Sequence, residues 1–183
     1  EDIAAASHAP KIFQLYVRGD ADWTDDIVQR AVDSGFKAFC LTVDSAVVSR
    51  RERDIAKGVQ PTSRPIAGHG SMGFQETLNW SDVARIKKKF NIPLIIKGIF
   101  RADDALKALD HGVDVVYVSN HGGRQIDQGL GALDLLSDIV EAVNGQAEII
   151  VDGGFYRGTD IVKAIALGAN AVGIGRLEAW SLA

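Results

Sequence analysis

Six short apolar runs alternate with stretches of helical period, and that alternation constrains the fold of this chain more than any other feature. The runs are Ile12–Tyr16, Ala38–Val43, Leu94–Ile96, Val115–Val118, Ile149–Val151 and Ala171–Ile174. Most are apolar almost throughout, which is the pattern of parallel strands covered on both faces. Trp23–Asp33, Ser81–Phe90, Ala102–Asp110, Ala132–Val143 and Thr159–Ala166 read as helices between them. Gly35, Gly112 and Gly168 follow three of these, as expected where the backbone leaves a helix in a left-handed conformation. Alternating β and α elements with short connections imply a parallel α/β sheet or barrel.

Internal similarity favours the barrel. Ala31-Val-Asp-Ser-Gly35, Ala108-Leu-Asp-His-Gly112 and Ala164-Ile-Ala-Leu-Gly168 each lead, after three residues, into an apolar run that ends in a polar cluster. A doubly wound sheet also gathers ligands at the carboxyl ends of its strands, but a (β/α)8 barrel places chemistry there on nearly every strand. All six runs here end in polar or glycine-rich clusters. With 183 residues and six candidate strands, the expectation is about six βα units of a barrel, strands three to eight, as a single partial domain over residues 1–183. The shortfall predicts unpaired edges on the first and last strands. The first residue is Glu1 and no signal-peptide pattern follows it, so residues before Glu1 are expected. The stretch from about Asp54 to Asn79 reads as a long irregular excursion.

Composition removes several classes of function. The formal charge of −4 argues against a dedicated nucleic-acid binder, and no apolar run reaches membrane-spanning length. Cys40 is the only cysteine, which excludes an intrachain disulfide or a cysteine metal cluster and fits a reduced, cytoplasmic setting. No metal site is expected.

The densest chemistry lies in Ser119-Asn-His-Gly-Gly-Arg124, directly after an apolar run. His121 can exchange a proton near neutral pH, and Arg124 can grip a carboxylate through two parallel hydrogen bonds. Asp44 ends another run and can orient the imidazole, or else cap a turn. One of Arg50 and Arg51 can face the same pocket; spacing alone does not choose between them. Lys97 ends an apolar run and needs an anion or ligand beside it. Tyr16 and Gln14 share one strand face, with core packing an equal reading for Tyr16. Asp152-Gly-Gly154 and Gly175-Arg176 resemble phosphate-cradling turns. His111 reads as a helix-end residue, and His8 and His69 as surface residues.

Taken together, Phe13-Gln-Leu-Tyr16, Leu41-Thr-Val-Asp44, Arg50-Arg-Glu52, Ile95-Ile-Lys-Gly98, Ser119–Arg124, Val151-Asp-Gly-Gly154 with Arg157-Gly-Thr-Asp160, and Gly173-Ile-Gly-Arg176 resemble the FMN-dependent L-2-hydroxy acid oxidase and dehydrogenase family. The resemblance implies oxidation of a small 2-hydroxy acid to a 2-oxo acid, with electrons leaving FMN for oxygen, a quinone or a protein. It also implies roles. His121 is the base, Asp44 its charge partner, and Arg124 and Arg51 hold the substrate carboxylate. Tyr16 hydrogen-bonds the substrate, and Gln14, Thr42 and Ser119 touch the flavin ring. Lys97 stabilises the reduced ring, while Asp152, Gly153, Gly154, Phe155, Tyr156, Gly175 and Arg176 form the phosphate cradle. A homo-oligomer is expected.

Three departures stand out. Tyr156 replaces the first of two arginines usual in the family, Leu177 replaces a proline, and the family's first two strands and final helices have no counterpart here. The rival readings are a non-redox phosphate-binding barrel, an isomerase or aldolase, and an FMN-binding fragment without turnover.

Overall fold

A computed structural model describes residues 2–46, 52–58, 73–125 and 128–183. In chain order the elements are α1 (Asp2–Ala5), β1 (Ile12–Leu15), α2 (Ala21–Asp33), β2 (Ala38–Thr42), α3 (Glu52–Ala56), α4 (Gly73–Glu76), α5 (Trp80–Lys89) and β3 (Leu94–Ile99). They continue with α6 (Ala102–Asp110), β4 (Val115–Val118), α7 (Ala132–Val143), β5 (Glu148–Asp152), α8 (Gly158–Ala166), β6 (Ala171–Gly173) and α9 (Arg176–Leu182). The six expected strands and five expected helices are all present within a few residues of their read boundaries. The short helices α1, α3, α4 and α9 were not legible as periodic patterns, since a helix of four to seven residues makes too few turns to show a period. Helices α3 and α4 also correct the reading of Asp54–Asn79 as wholly irregular: where this stretch is described, it is partly helical.

The strands form one sheet in the order β1-β2-β3-β4-β5-β6, and every neighbouring pair is parallel. A doubly wound sheet reverses its strand order at a switch point; this one runs in sequence order throughout, as part of a (β/α)8 barrel does. Right-handed crossovers of that kind carry the helices to one face. Phe39, Leu41, Leu94, Ile96, Val116, Val118, Ile149 and Val151 accordingly pack with Val28, Val83, Ile86, Ala105, Leu136, Ile139 and Ala164 in one core. The alternate residues Ala38, Cys40 and Ile95, with Val115 and Tyr117, form a separate small cluster on the opposite face. Among the described residues β1 and β6 are each paired on one side only, leaving Ile12 half-exposed. No helix among them is long and apolar enough to cross a membrane.

Local signals explain where elements begin. The Asp20 carboxylate accepts from Trp23 N at 2.9 Å to cap α2, and Asn79 with Asp82 forms a capping box on α5. Gly35, Gly112 and Gly168 have positive φ at three helix ends, as expected. Two residues after the last two of these glycines, a side chain closes the start of the neighbouring strand. Asp114 accepts from Leu94 N at 2.7 Å, and Asn170 accepts from Ile149 N at 2.7 Å. Between helices, Asp25 of α2 pairs with Arg85 of α5 and, at 2.6 Å, with Lys89 of the same helix. Burial pushes the Asp25 carboxyl up, but the hydrogen bonds from Lys89 and Arg85 outweigh it and hold the group below the ordinary carboxylate value.

Two outcomes follow for stability. Asn170→Ala leaves the Ile149 N–H without its acceptor and should cost about 1–3 kcal/mol in urea unfolding, with Asn170→Asp retaining most of the difference. Because the folded Asp25 carboxyl is depressed, its contribution is full above the unfolded value near 3.8 and disappears as pH falls through the folded one. The stability gap between the native protein and Asp25→Asn should therefore be flat above about pH 5 and narrow below pH 4.

Candidate active site

Period-two alternation sends one set of residues from every strand to the face away from the helices. At its carboxyl end that face carries Gln14 from β1 and Tyr16 just beyond it, Thr42 from β2, Lys97 from β3, Ser119 beyond β4 and Asp152 from β5. Gln14 Nε2 donates to Thr42 Oγ1 at 2.5 Å, and Lys97 Nζ donates to Ser119 Oγ at 2.9 Å. Lys97 also pairs with Asp152 Oδ2 at 3.3 Å, with the two side chains only 14% and 20% exposed. The anion that a cation at the end of an apolar strand requires is thus Asp152.

His121 lies in the turn after β4 with φ of 58°. A left-handed conformation is uncommon for a residue with a Cβ and is found where surrounding contacts over-determine the backbone. Those contacts are visible. The ring places Nδ1 2.6 Å from Asp44 Oδ2 and Nε2 2.8 Å from the Tyr16 hydroxyl. In the neutral imidazole, donating Nδ1–H to Asp44 leaves the lone pair on Nε2, which then accepts from the phenol. The Asp44 side chain is 1% exposed against 20% for His121, so a buried carboxylate backs an imidazole that reaches the surface of the cleft. Asp44 Oδ1 accepts from Ser45 Oγ, and its backbone carbonyl accepts from Gln125 Nε2 at 2.9 Å.

Gly98 is what lets Asp44 come this close. Its φ is +105°, the β3–β4 register shifts there, and a Cβ would lie 2.6 Å from the Asp44 Cβ and 2.9 Å from its backbone nitrogen. No side chain larger than hydrogen fits.

A cleft of about 200 Å³ opens beside this array, lined by Lys97, His121, Arg124, Asp152, the turn from Gly153 to Tyr156, and Gly175 to Leu177. Phe155 is buried in its floor, and the Arg176 guanidinium lies where a Cβ on Gly122 would stand. The turn differs from the sequence reading in one respect. The backbone N–H groups of Tyr156 and Arg157 donate to Asp160 Oδ2 at 3.1 and 2.9 Å, and these bonds hold the Asp160 carboxyl below its ordinary value. The Tyr156 amide is therefore already engaged. Its ring, half-exposed, stacks on Trp180 with centroids 6.2 Å apart.

Of the residues read from sequence, His121, Asp44 and Tyr16 form one hydrogen-bonded chain, and Lys97, Ser119 and Asp152 form a second. Arg51, Arg50 and His69 lie outside the described residues. His111 sits at the end of α6, with Nδ1 2.8 Å from the Lys107 carbonyl and its ring against Trp80. His8 is exposed. One residue was missed. Gln75 of α4 is buried, accepts from Val17 N at 2.8 Å and donates to the Thr42 carbonyl at 2.6 Å, tying the ends of β1 and β2 together. A glutamine in a polar stretch carries no signal of this; only the fold brings the two strand ends to it.

The comparisons with known proteins fall on one family. The family profile for FMN-dependent dehydrogenase matches residues 1–183. An L-lactate oxidase of Nostoc sp. is 41% identical over 192 residues, covering 93% of this chain and 53% of the relative. A peroxisomal (S)-2-hydroxyacid oxidase of Arabidopsis thaliana is 40% identical over 200 residues, covering all of this chain and 55% of the relative. Among solved structures, a lactate oxidase of Pediococcus acidilactici superposes with a TM-score of 0.88 at 39% identity, covering 98% of this chain and 52% of that one. A mandelate oxidase crystallised with 3,3-difluoro-2-hydroxy-3-phenylpropionic acid gives 0.88 at 38% identity, with coverage of 99% and 53%. The chain spans about half the length of the relatives it matches. Sequence and fold agree, and the chain belongs to the FMN-dependent dehydrogenase family.

Proposed function

We propose that this protein takes part in the FMN-dependent oxidation of an L-2-hydroxy acid to the 2-oxo acid. The observation that carries the reading is the Asp44–His121–Tyr16 chain ending in a lone-pair nitrogen beside a cationic cleft. A Schiff-base aldolase would use a strand-end lysine as a free amine nucleophile, whereas Lys97 is paired with Asp152 and donates to Ser119.

The residues present fit FMN. Gly154 and Gly175 have nothing within 4 Å of a built Cβ, so the two turns leave open a concave space of the kind a phosphate enters. Arg176 supplies positive charge there, and Gly153, Gly154, Phe155 and Gly175 supply backbone. Asp152 and Tyr156 flank the space, the latter with its amide committed to Asp160. Gln14, Thr42 and Ser119 offer polar atoms to the ring, and Lys97 a positive charge. When bound, FMN supplies the two-electron acceptor that no side chain can be.

The remaining steps belong to the protein. Arg124 lines the cleft where it can hold the substrate carboxylate, and Arg51 is proposed to join it. The substrate displaces the Tyr16 hydroxyl from His121 Nε2, and the phenol turns its hydrogen bond to the substrate. Nε2 then takes a proton from the hydroxyl or the alpha carbon. The Asp44 carboxylate, 2.6 Å from Nδ1 and nearly sealed from solvent, stabilises the imidazolium that results. Oxygen as final acceptor is supported by the oxidases among the relatives. A cytoplasmic setting rests on the lone, buried Cys40, and the Arabidopsis relative is named for the peroxisome.

Two variants test this. His121→Ala should retain FMN yet lose anaerobic flavin reduction by the hydroxy acid by roughly 10²–10⁴-fold; undiminished bleaching would exclude the mechanism. Tyr156→Arg restores the charge usual in the family at that turn. Fluorescence titration should show FMN bound about tenfold more tightly, the worth of one charge-assisted hydrogen bond, and unchanged or weaker binding would remove Tyr156 from the account.

A further inference from the structure

The Lys97–Asp152 pair has a third neighbour that the reaction described above does not use. Tyr117 is the register partner of Lys97 across β3 and β4, and Lys97 Nζ lies 5.2 Å from the centre of its ring. The phenol extends towards β6, where a Cβ on Gly173 would run into its hydroxyl. Gly173 is in turn the register partner of Asp152, so phenol and carboxylate meet over the same stretch of backbone. Burial, and next the Asp152 charge beside it, push the Tyr117 hydroxyl well above the usual phenol range. Asp152 reaches Lys97 through Oδ2, whereas its Oδ1 is buried without a hydrogen-bond partner among the described residues. A buried acceptor in that position calls for a donor.

We propose that Tyr117 is a positioning residue for the cofactor site: its hydroxyl donates to the Asp152 carboxylate and so limits how far Asp152 neutralises Lys97. The inference rests on the reading of this cleft as an FMN site, in which Lys97 faces the reduced ring. An ammonium shared with a bare carboxylate offers little field to a third group. A carboxylate that also accepts from a phenol has its charge partly drawn away, and more of the Lys97 field is left for the electron-rich ring. Tyr117 touches neither substrate nor flavin in this scheme; it acts through Asp152.

Tyr117→Phe keeps the ring over Lys97 and removes only the hydroxyl. The midpoint potential of bound FMN should fall by about 30 mV, a tenfold change in a two-electron equilibrium, and the fall should be absent when the change is made in Asp152→Asn protein. An unchanged or raised potential, or an equal fall in the Asp152→Asn background, overturns the proposal. A second measurement needs no flavin. Absorbance titration of the three tyrosines should show a late-ionising phenol that is missing in Tyr117→Phe and moved down by Asp152→Asn. A late phenol that ignores Asp152→Asn, or no late phenol at all, overturns the link to Asp152. If the protein takes up no FMN, the functional reading fails, and the titration still decides whether Tyr117 serves Asp152.

Discussion

Parallel pairing of six strands in sequence order is the constraint on which the other features depend. Each strand alternates its side chains between two faces, and each crossover carries its helix to the same side. One face is thereby committed to an apolar core under the helices. The other receives Gln14, Tyr16, Thr42, Lys97, Tyr117 and Asp152 at nearly the same level, because register aligns Thr42 with Lys97 and Lys97 with Tyr117. A slip of one residue in any pair would exchange the two faces and bury a lysine or an aspartate among helices. The apolar core therefore fixes the site as firmly as it fixes the fold.

The site itself is organised by two carboxylates largely shielded from solvent, with different partners. Asp44 faces an imidazole, which can be charged or neutral, and so can follow a proton. Asp152 faces the Lys97 side chain, a point charge rather than a proton-exchanging ring. His121, Lys97 and Asp152 line one cleft, and the lysine also donates to Ser119. Taking such charges out of water is costly unless geometry compensates. Here the compensation comes from strand ends, which are rigid, and from Gly98, whose missing Cβ admits Asp44 to bonding distance of His121.

The open edges of β1 and β6 have the same origin as the site. Parallel strands in sequence order complete their pairing only by closing a cylinder, and the six strands among the described residues leave one edge at each end of the sheet. The relatives that superpose on this chain are about twice its length. In this structure Ile12 on β1 and Val162 and Ile165 on α8 are apolar residues left substantially exposed beside those edges.

Much of this could be read without coordinates. Near-continuous apolar runs give parallel strands because both faces of such strands are covered, and the helix ends at Gly35, Gly112 and Gly168 are set by a backbone conformation that glycine adopts most easily. That His121, Asp44 and Lys97 would stand at the strand ends with polar partners was legible for a related reason: a polar side chain placed at or directly after the end of a buried strand must find a partner or a ligand. What the sequence by itself could not assign was which partners. Asp152 as the anion for Lys97, Gln75 as the tie between β1 and β2, and the engagement of the Tyr156 amide by Asp160 are contacts of register and turn geometry. Several of them join residues more than thirty positions apart. Residue type and spacing determine which groups must be satisfied; only the folded sheet, by fixing register, determines which groups satisfy them.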